Sequence, residues 1–179
     1  MSRTMRAVTL LIVQAVLVLS IAAKFLYERE VCPRVWVPAA QYDPNMPLRG
    51  RYLALQLAVD ACGLPLDENH RLRYEAGSSS WEWHVRPVVR GGKLVAVPAS
   101  YDEKSESTND VRLWANHPCD RATLSHGVDY FIPDTAQSPW PPKKGEELWV
   151  EVTVPPTGPP RPIQLALSKN GVFTPLNLH

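Results

Sequence analysis

The stretch L-R-G-R-Y-L-A-L-Q-L-A-V, residues Leu48–Val59, decides how the chain folds. From Leu53 onward it alternates. Leu53, Leu55, Leu57 and Val59 share one face of an extended chain, and Tyr52, Ala54, Gln56 and Ala58 share the other. Aliphatic against small or polar, with period two, predicts a strand lying on a core. A helix is the competing reading, because Leu, Ala and Gln are good helix formers and Gly63 followed by Pro65 resembles a helix stop. At about 100° per residue, however, a helix sets Leu55 and Leu57 about 200° apart and scatters the aliphatic row. Gly50 ahead of the strand suits a turn or a close backbone approach, and Arg49 and Arg51 keep that approach wet.

Further strands follow by the same pattern. Trp81–Arg86 alternates apolar and polar and continues to Val89; Gly91-Gly92 then joins it to Lys93–Val97 as a hairpin. Val111–Ala115 and Val128–Ile132 are short apolar runs, separated from the earlier ones by the polar loop Ala99–Asp110. Leu148, Val150, Val152 and Val154 repeat the alternation. Ile163–Leu167 and Val172–Leu178 flank Asn170-Gly171, a preferred hairpin turn. With an edge strand at Arg34–Val37 the total is about nine, which predicts an all-β antiparallel sandwich or barrel-like domain. Eighteen prolines and nine glycines fit many turns and few long helices.

The N-terminus differs. Ala7–Ala23 carries no charge and is rich in Val, Leu and Ile; extended to Tyr27 it would be about 31 Å long as a helix, against a hydrocarbon core of about 30 Å. Two readings stand: a transmembrane anchor, with Lys24 snorkelling and Tyr27 at the interface, or a cleaved signal peptide cut after Ser20-Ile21-Ala22 behind the basic Arg3 and Arg6. Apolarity reaching Tyr27 favours the anchor. Arg3 and Arg6 precede the span and Lys24, Arg29 and Arg34 follow it, so charge alone leaves the topology open. The expected layout is a basic N-terminus at 1–6, an anchor at 7–27, a proline-rich linker and edge strand at 28–47, and a β domain at 48–179.

With 19 basic and 18 acidic side chains and no basic stripe, the chain does not read as a nucleic-acid binder. Three cysteines allow one intramolecular bridge. In an oxidising compartment Cys62 and Cys119 are the natural pair, leaving juxtamembrane Cys32; two buried unpaired thiols are the other reading.

Asp43-Pro44, Arg49-Gly50 and Tyr52-x-x-Leu55 together resemble the GDYXXLXY family of bacterial membrane-anchored proteins, whose pattern runs D-P-R-D-x-x-R-G-D-Y-x-x-L-x-Y behind an N-terminal hydrophobic segment. Val128–Asp134 is similar to that family's second signature, G-x-x-x-Y-F-V-P-E. The chain departs from the first pattern at Arg51 (Asp in the family), Leu57 (Tyr), Asn45 and Met46 (Arg-Asp). The resemblance implies a single-pass anchor in the cytoplasmic (inner) membrane, a β domain facing the periplasm or outside, and Asp43, Arg49, Gly50, Tyr52 and Leu55 as the residues to examine for binding. It implies an address and no particular chemistry.

Catalytic sets are sparse. There is no C-x-x-C, H-E-x-x-H or H-x₃-H, so neither a metal nor another cofactor is expected. A signal-peptidase arrangement would need a serine just past the anchor, and from Ile21 to Gly77 there is neither serine nor threonine. His117 and Cys119 lie two apart, and Ser125, His126 and Asp129 are residue types a hydrolase uses. Adjacent Ser125 and His126 would face opposite ways on a strand, however. Trp81, Trp83 and Trp149 fit either a sugar or peptide groove or ordinary sheet packing. The function expected is a non-catalytic binding or assembly partner of an envelope membrane protein. A small envelope hydrolase using Ser125, His126 and Asp129, or Cys119, is the alternative.

Overall fold

The computed structural model describes residues 3–43, 52–64, 80–100, 108–114, 118–133, 139 and 142–177. The chain forms two compact units that part between Cys32 and Pro33.

The first unit is one helix, α1 (Arg3–Val31), 29 residues long. Leu10, Leu11, Ile12 and Val13 are consecutive and all more than half exposed, so no face of the helix is polar. It is long and apolar enough to cross a membrane. Two of its hydroxyls are bonded within the helix: Thr9 Oγ1 donates to the Met5 carbonyl at 2.9 Å and Ser20 Oγ to that of Leu17 at 2.8 Å. That bonding removes the main cost of placing a hydroxyl in hydrocarbon. Lys24 pairs with Glu28 one turn on, at 3.8 Å. The helix overruns the expected 7–27 span by about one turn at each end, through Arg3–Arg6 and Glu28–Val31.

The second unit is a ten-stranded antiparallel sheet: β1 (Arg34–Asp43), β2 (Tyr52–Val59), β3 (Ser80–Arg90), β4 (Lys93–Pro98), β5 (Asn109–Trp114), β6 (Ala122–Leu124), β7 (Val128–Phe131), β8 (Glu146–Thr153), β9 (Arg161–Lys169) and β10 (Val172–Pro175). Their spatial order is β10-β9-β8-β1-β2-β6-β5-β3-β4, with β7 also pairing β2. The alternation in β2 has the predicted consequence. Leu53, Leu55, Leu57 and Val59 are at most 2 % exposed, while the intervening residues are half-buried. Leu148, Val150 and Val152 of β8 and Leu165 of β9 meet them in the same core, with Val85, Val111 and Leu124 from the other side.

Both predicted hairpins form. Gly91 and Gly92 have φ of 56° and 73°, and Asn170 and Gly171 have 53° and 81°, the left-handed pair that a two-residue hairpin turn of matching twist requires. The expected edge strand Arg34–Val37 requires correction. It runs to Asp43 and lies inside the sheet, between β8 and β2. Its prolines had marked it as an edge, but Pro38 sits where the strand changes neighbours: Arg34–Pro38 pair with β8, and pairing with β2 begins at Ala39. A proline is tolerated where one ladder gives way to another.

Strand β6, three residues long, carries too short a pattern to read from sequence. It and β7 line the same edge of β2, interrupted at Ser125–Gly127. The Asn109 side chain spans the interruption, its Oδ1 accepting the His126 N–H at 3.1 Å, while Ser125 N–H donates to the Asp110 carbonyl at 2.7 Å. A Cβ on Gly127 would lie 2.9 Å from the Leu55 carbonyl oxygen, a backbone atom fixed in the sheet. Gly127→Ala is therefore expected to cost about 1–3 kcal/mol in denaturant unfolding. Gly63→Ala, with nothing within 4 Å of the added methyl, is expected to stay within about 0.5 kcal/mol.

Candidate functional site

Strand β2 is the reference for every residue singled out in the sequence. The two signature stretches are neighbours: Tyr52, Leu53, Ala54 and Leu55 stand opposite Phe131, Tyr130, Asp129 and Val128. Tyr52 and Phe131 form a ring pair at 6.3 Å, and Phe131 is 71 % exposed, so this corner presents aromatic surface. Asp43 ends β1 and pairs with Ala54 across an irregularity in the ladder. Arg49 and Gly50 lie outside the described residues. Leu55 is wholly buried and offers no surface to a ligand; its part is packing. Leu57 is equally buried.

Cys62 and Cys119 are bonded, with their Cα atoms 4.8 Å apart. This settles the pairing, and it corrects the reading of Cys119 as a thiol nucleophile, since no thiol is left on it. Cys32 is free and half-buried. Ser125, His126 and Asp129 do not form a relay. Ser125 Oγ is buried without a hydrogen-bond partner, His126 Nδ1 lies 3.1 Å from Asn109 Oδ1, and Asp129 points outward on β7. A serine nucleophile needs a base within hydrogen-bond reach, and Ser125 has none in this arrangement. His117 lies outside the described residues. Among the described residues no cluster of three or more His, Cys, Asp or Glu side chains could hold a metal ion.

A cleft arises where β1 and β2 part. Asp60, just beyond β2, turns to β4: its N–H donates to the Leu94 carbonyl at 2.9 Å and its carbonyl accepts the Ala96 N–H at 2.8 Å. That contact joins β4 back to β2, so that β2, β6, β5, β3 and β4 close a ring of strands. On the far side β1 stays with β8. Between them opens a cleft of about 360 Å³, reached by Trp36 and Pro38 of β1, Ala58 of β2, Lys93 of β4, Arg121 and Trp149. A shallower hollow of about 310 Å³ on the outer face of the sheet shares Pro38, Ala58 and Arg121 with it.

Each wall has a physical origin. Trp149 packs edge-on against Phe173 of β10 at 5.0 Å, and Trp36 packs against the same ring at 5.9 Å. The 3-10 turn Cys119–Arg121 brings Arg121 to the mouth, where its guanidinium meets Glu147 at 3.2 Å. The disulfide and the bond from Ala61 N–H to the Cys119 carbonyl (2.9 Å) pin that turn to the end of β2. Asp60 Oδ1 accepts the Cys62 N–H at 3.0 Å.

Of the tryptophans named from sequence, Trp83 belongs to the core and Trp149 to the cleft wall. The sequence reading missed Trp36, Lys93 and Arg121. The one signal it held was Pro38 in the middle of an apolar run. Comparison with protein-family models, with curated proteins and with solved structures finds no match for this chain.

Proposed function

We propose that this chain is a membrane-anchored binding domain of the GDYXXLXY kind, fixed in the cytoplasmic membrane by α1, with its β unit on the oxidising side, where it serves as a non-catalytic partner of another envelope membrane protein. The observation that carries the reading is α1: 29 residues, apolar around its whole circumference, with the Thr9 and Ser20 hydroxyls bonded internally. A helix without a polar face is stable either inside a protein core or inside lipid, and none of the residues in its most apolar window is buried. The Cys62–Cys119 bond supports the outer side, because protein disulfides persist where thiols are not continually reduced. The pairing of the two signature strands gives the family reading a compact aromatic corner at Tyr52 and Phe131.

Membrane fractionation with sequencing of the mature N-terminus tests this. The chain is expected to stay with membranes through alkaline carbonate, to leave them only with detergent, and to retain the residues before Ala22. Without reductant, Cys32 alone is expected to take a maleimide label. A soluble product beginning after Ala22, or three reactive thiols, would overturn the anchor or the compartment respectively.

A further inference from the structure

The uncharged run 7–23 of α1 contains three polar side chains, Thr9, Gln14 and Ser20. The two hydroxyls are bonded to carbonyls of their own helix. The Gln14 carboxamide is exposed on the helix surface and, among the described residues, has no hydrogen-bond partner. It carries two N–H donors and a carbonyl acceptor, whereas the backbone groups along the middle of a helix are already spent on one another. At 1.5 Å per residue, Gln14 lies about 10 Å from one end of the run and about 14 Å from the other. So short a side chain cannot reach water from there. An unpartnered amide in hydrocarbon is costly, and polar groups at that depth turn to a neighbouring helix.

Apolar side chains surround the whole helix, so it is Gln14 that picks out the stripe driven to pair. Residues seven apart stay on one stripe when a helix coils about a neighbour, and those three further on lie beside it. From Gln14 that rule collects Ala7 and Ile21, with Leu10 and Leu17 between them. Leu10, Leu17 and Ile21 are each more than half exposed. The stripe runs out at Lys24 and Glu28, which pair at 3.8 Å within one chain and so offset each other's charge. One polar residue on an otherwise apolar seam is the arrangement that sets register between paired helices.

We infer that α1 pairs in the membrane with α1 of a second copy, in parallel, through reciprocal hydrogen bonds between the two Gln14 side chains. Nε2–H of each donates to Oε1 of the other, and the Leu10, Leu17 and Ile21 side chains pack along the seam. The occupant follows from depth and chemistry. Every copy enters the membrane in the same orientation with its run 7–23 at the same level, so a parallel copy brings its own Gln14 opposite. A carboxamide is its own complement, donor to acceptor in both directions, which is what a two-fold pair requires. A helix of any other protein would have to place a matching polar group at that one depth. This proposal rests on the reading of α1 as a retained membrane span.

The test uses the full chain in phosphatidylcholine vesicles, with the free Cys32 carrying a donor or an acceptor fluorophore. Energy transfer is followed as the protein-to-lipid ratio is raised. Gln14→Leu is expected to shift the association midpoint about tenfold toward higher ratios, the effect of losing two interhelical bonds. Gln14→Asn, which keeps the carboxamide, is expected to lose less. In a Cys32→Ser chain, mild oxidation is expected to link Leu17→Cys, on the seam, into a dimer and to leave Val16→Cys, on the opposite side of the helix, as monomer. If Gln14→Leu associates as the native chain does, or if the two cysteine variants cross-link alike, the Gln14 seam is wrong. Absence of transfer at every ratio overturns the second copy as occupant, whatever adducts form in native membranes. Carbonate extraction separates this from the anchor: a native chain released from membranes sinks both readings, and one retained but unassociated sinks the pair alone.

Discussion

Replacing Cys62 and Cys119 by serine is expected to lower the stability of the β unit by about 4 kcal/mol, the loop-closure value for a chain of this separation. The two cysteines stand 57 residues apart, and the loop they close holds β3, β4 and β5. For a unit of this size that loss corresponds to a fall in Tm of about 8–16 °C. Thermal unfolding followed by circular dichroism, with and without reductant, checks it. The reduced native chain should match the double variant, and the variant should no longer respond to reductant. The consequence reaches the cleft, because the bond holds the Cys119–Arg121 turn and with it the Arg121 guanidinium at the mouth. If the double variant unfolds at the native temperature, the bond has no structural weight, and the disulfide loses its value as a marker of compartment.

Leu55→Ala is expected to cost about 3–5 kcal/mol, since the side chain is wholly buried in a close-packed core that would keep most of the void. Gln56→Ala, one residue along and facing outward, is expected to stay within about 0.5 kcal/mol. Denaturant unfolding of the two variants side by side measures the alternation directly. Comparable losses at both positions would mean that β2 does not present one face to the core. A typical domain has only about 5–15 kcal/mol in total, so Leu55→Ala takes a large share and is expected to reduce the amount of protein recovered from membranes.

Much of the fold was legible because strand periodicity is a local property. The aliphatic rows in Leu53–Val59 and Leu148–Val154 each need a core on one side, whatever strand supplies it. The Gly-Gly and Asn-Gly pairs each dictate a turn by their own backbone preference. The apolar helix was legible for the same reason. Three residues of β6 held too little pattern, and the interior place of β1 was hidden because its prolines look like edge markers when the partner strands are unknown. The candidate site was less legible. Sequence pointed to Arg49–Tyr52 and to Ser125, His126 and Asp129. The structure buries Ser125 Oγ without a hydrogen-bond partner and opens a cleft elsewhere, among Trp36, Ala58, Lys93 and Arg121.

By itself the sequence determined that a long apolar segment precedes a domain of short alternating strands, and which side chains of β2 and β8 face inward, since both depend on neighbours one to four residues away. Only the tertiary structure decided that Cys62 reaches Cys119, that Asp60 leaves β1 for β4, and that Pro38 stands at the gap this opens. Those outcomes depend on which strands lie side by side. Strand neighbours are chosen by how the whole set of apolar faces closes over one core, a condition that no single stretch of the chain contains.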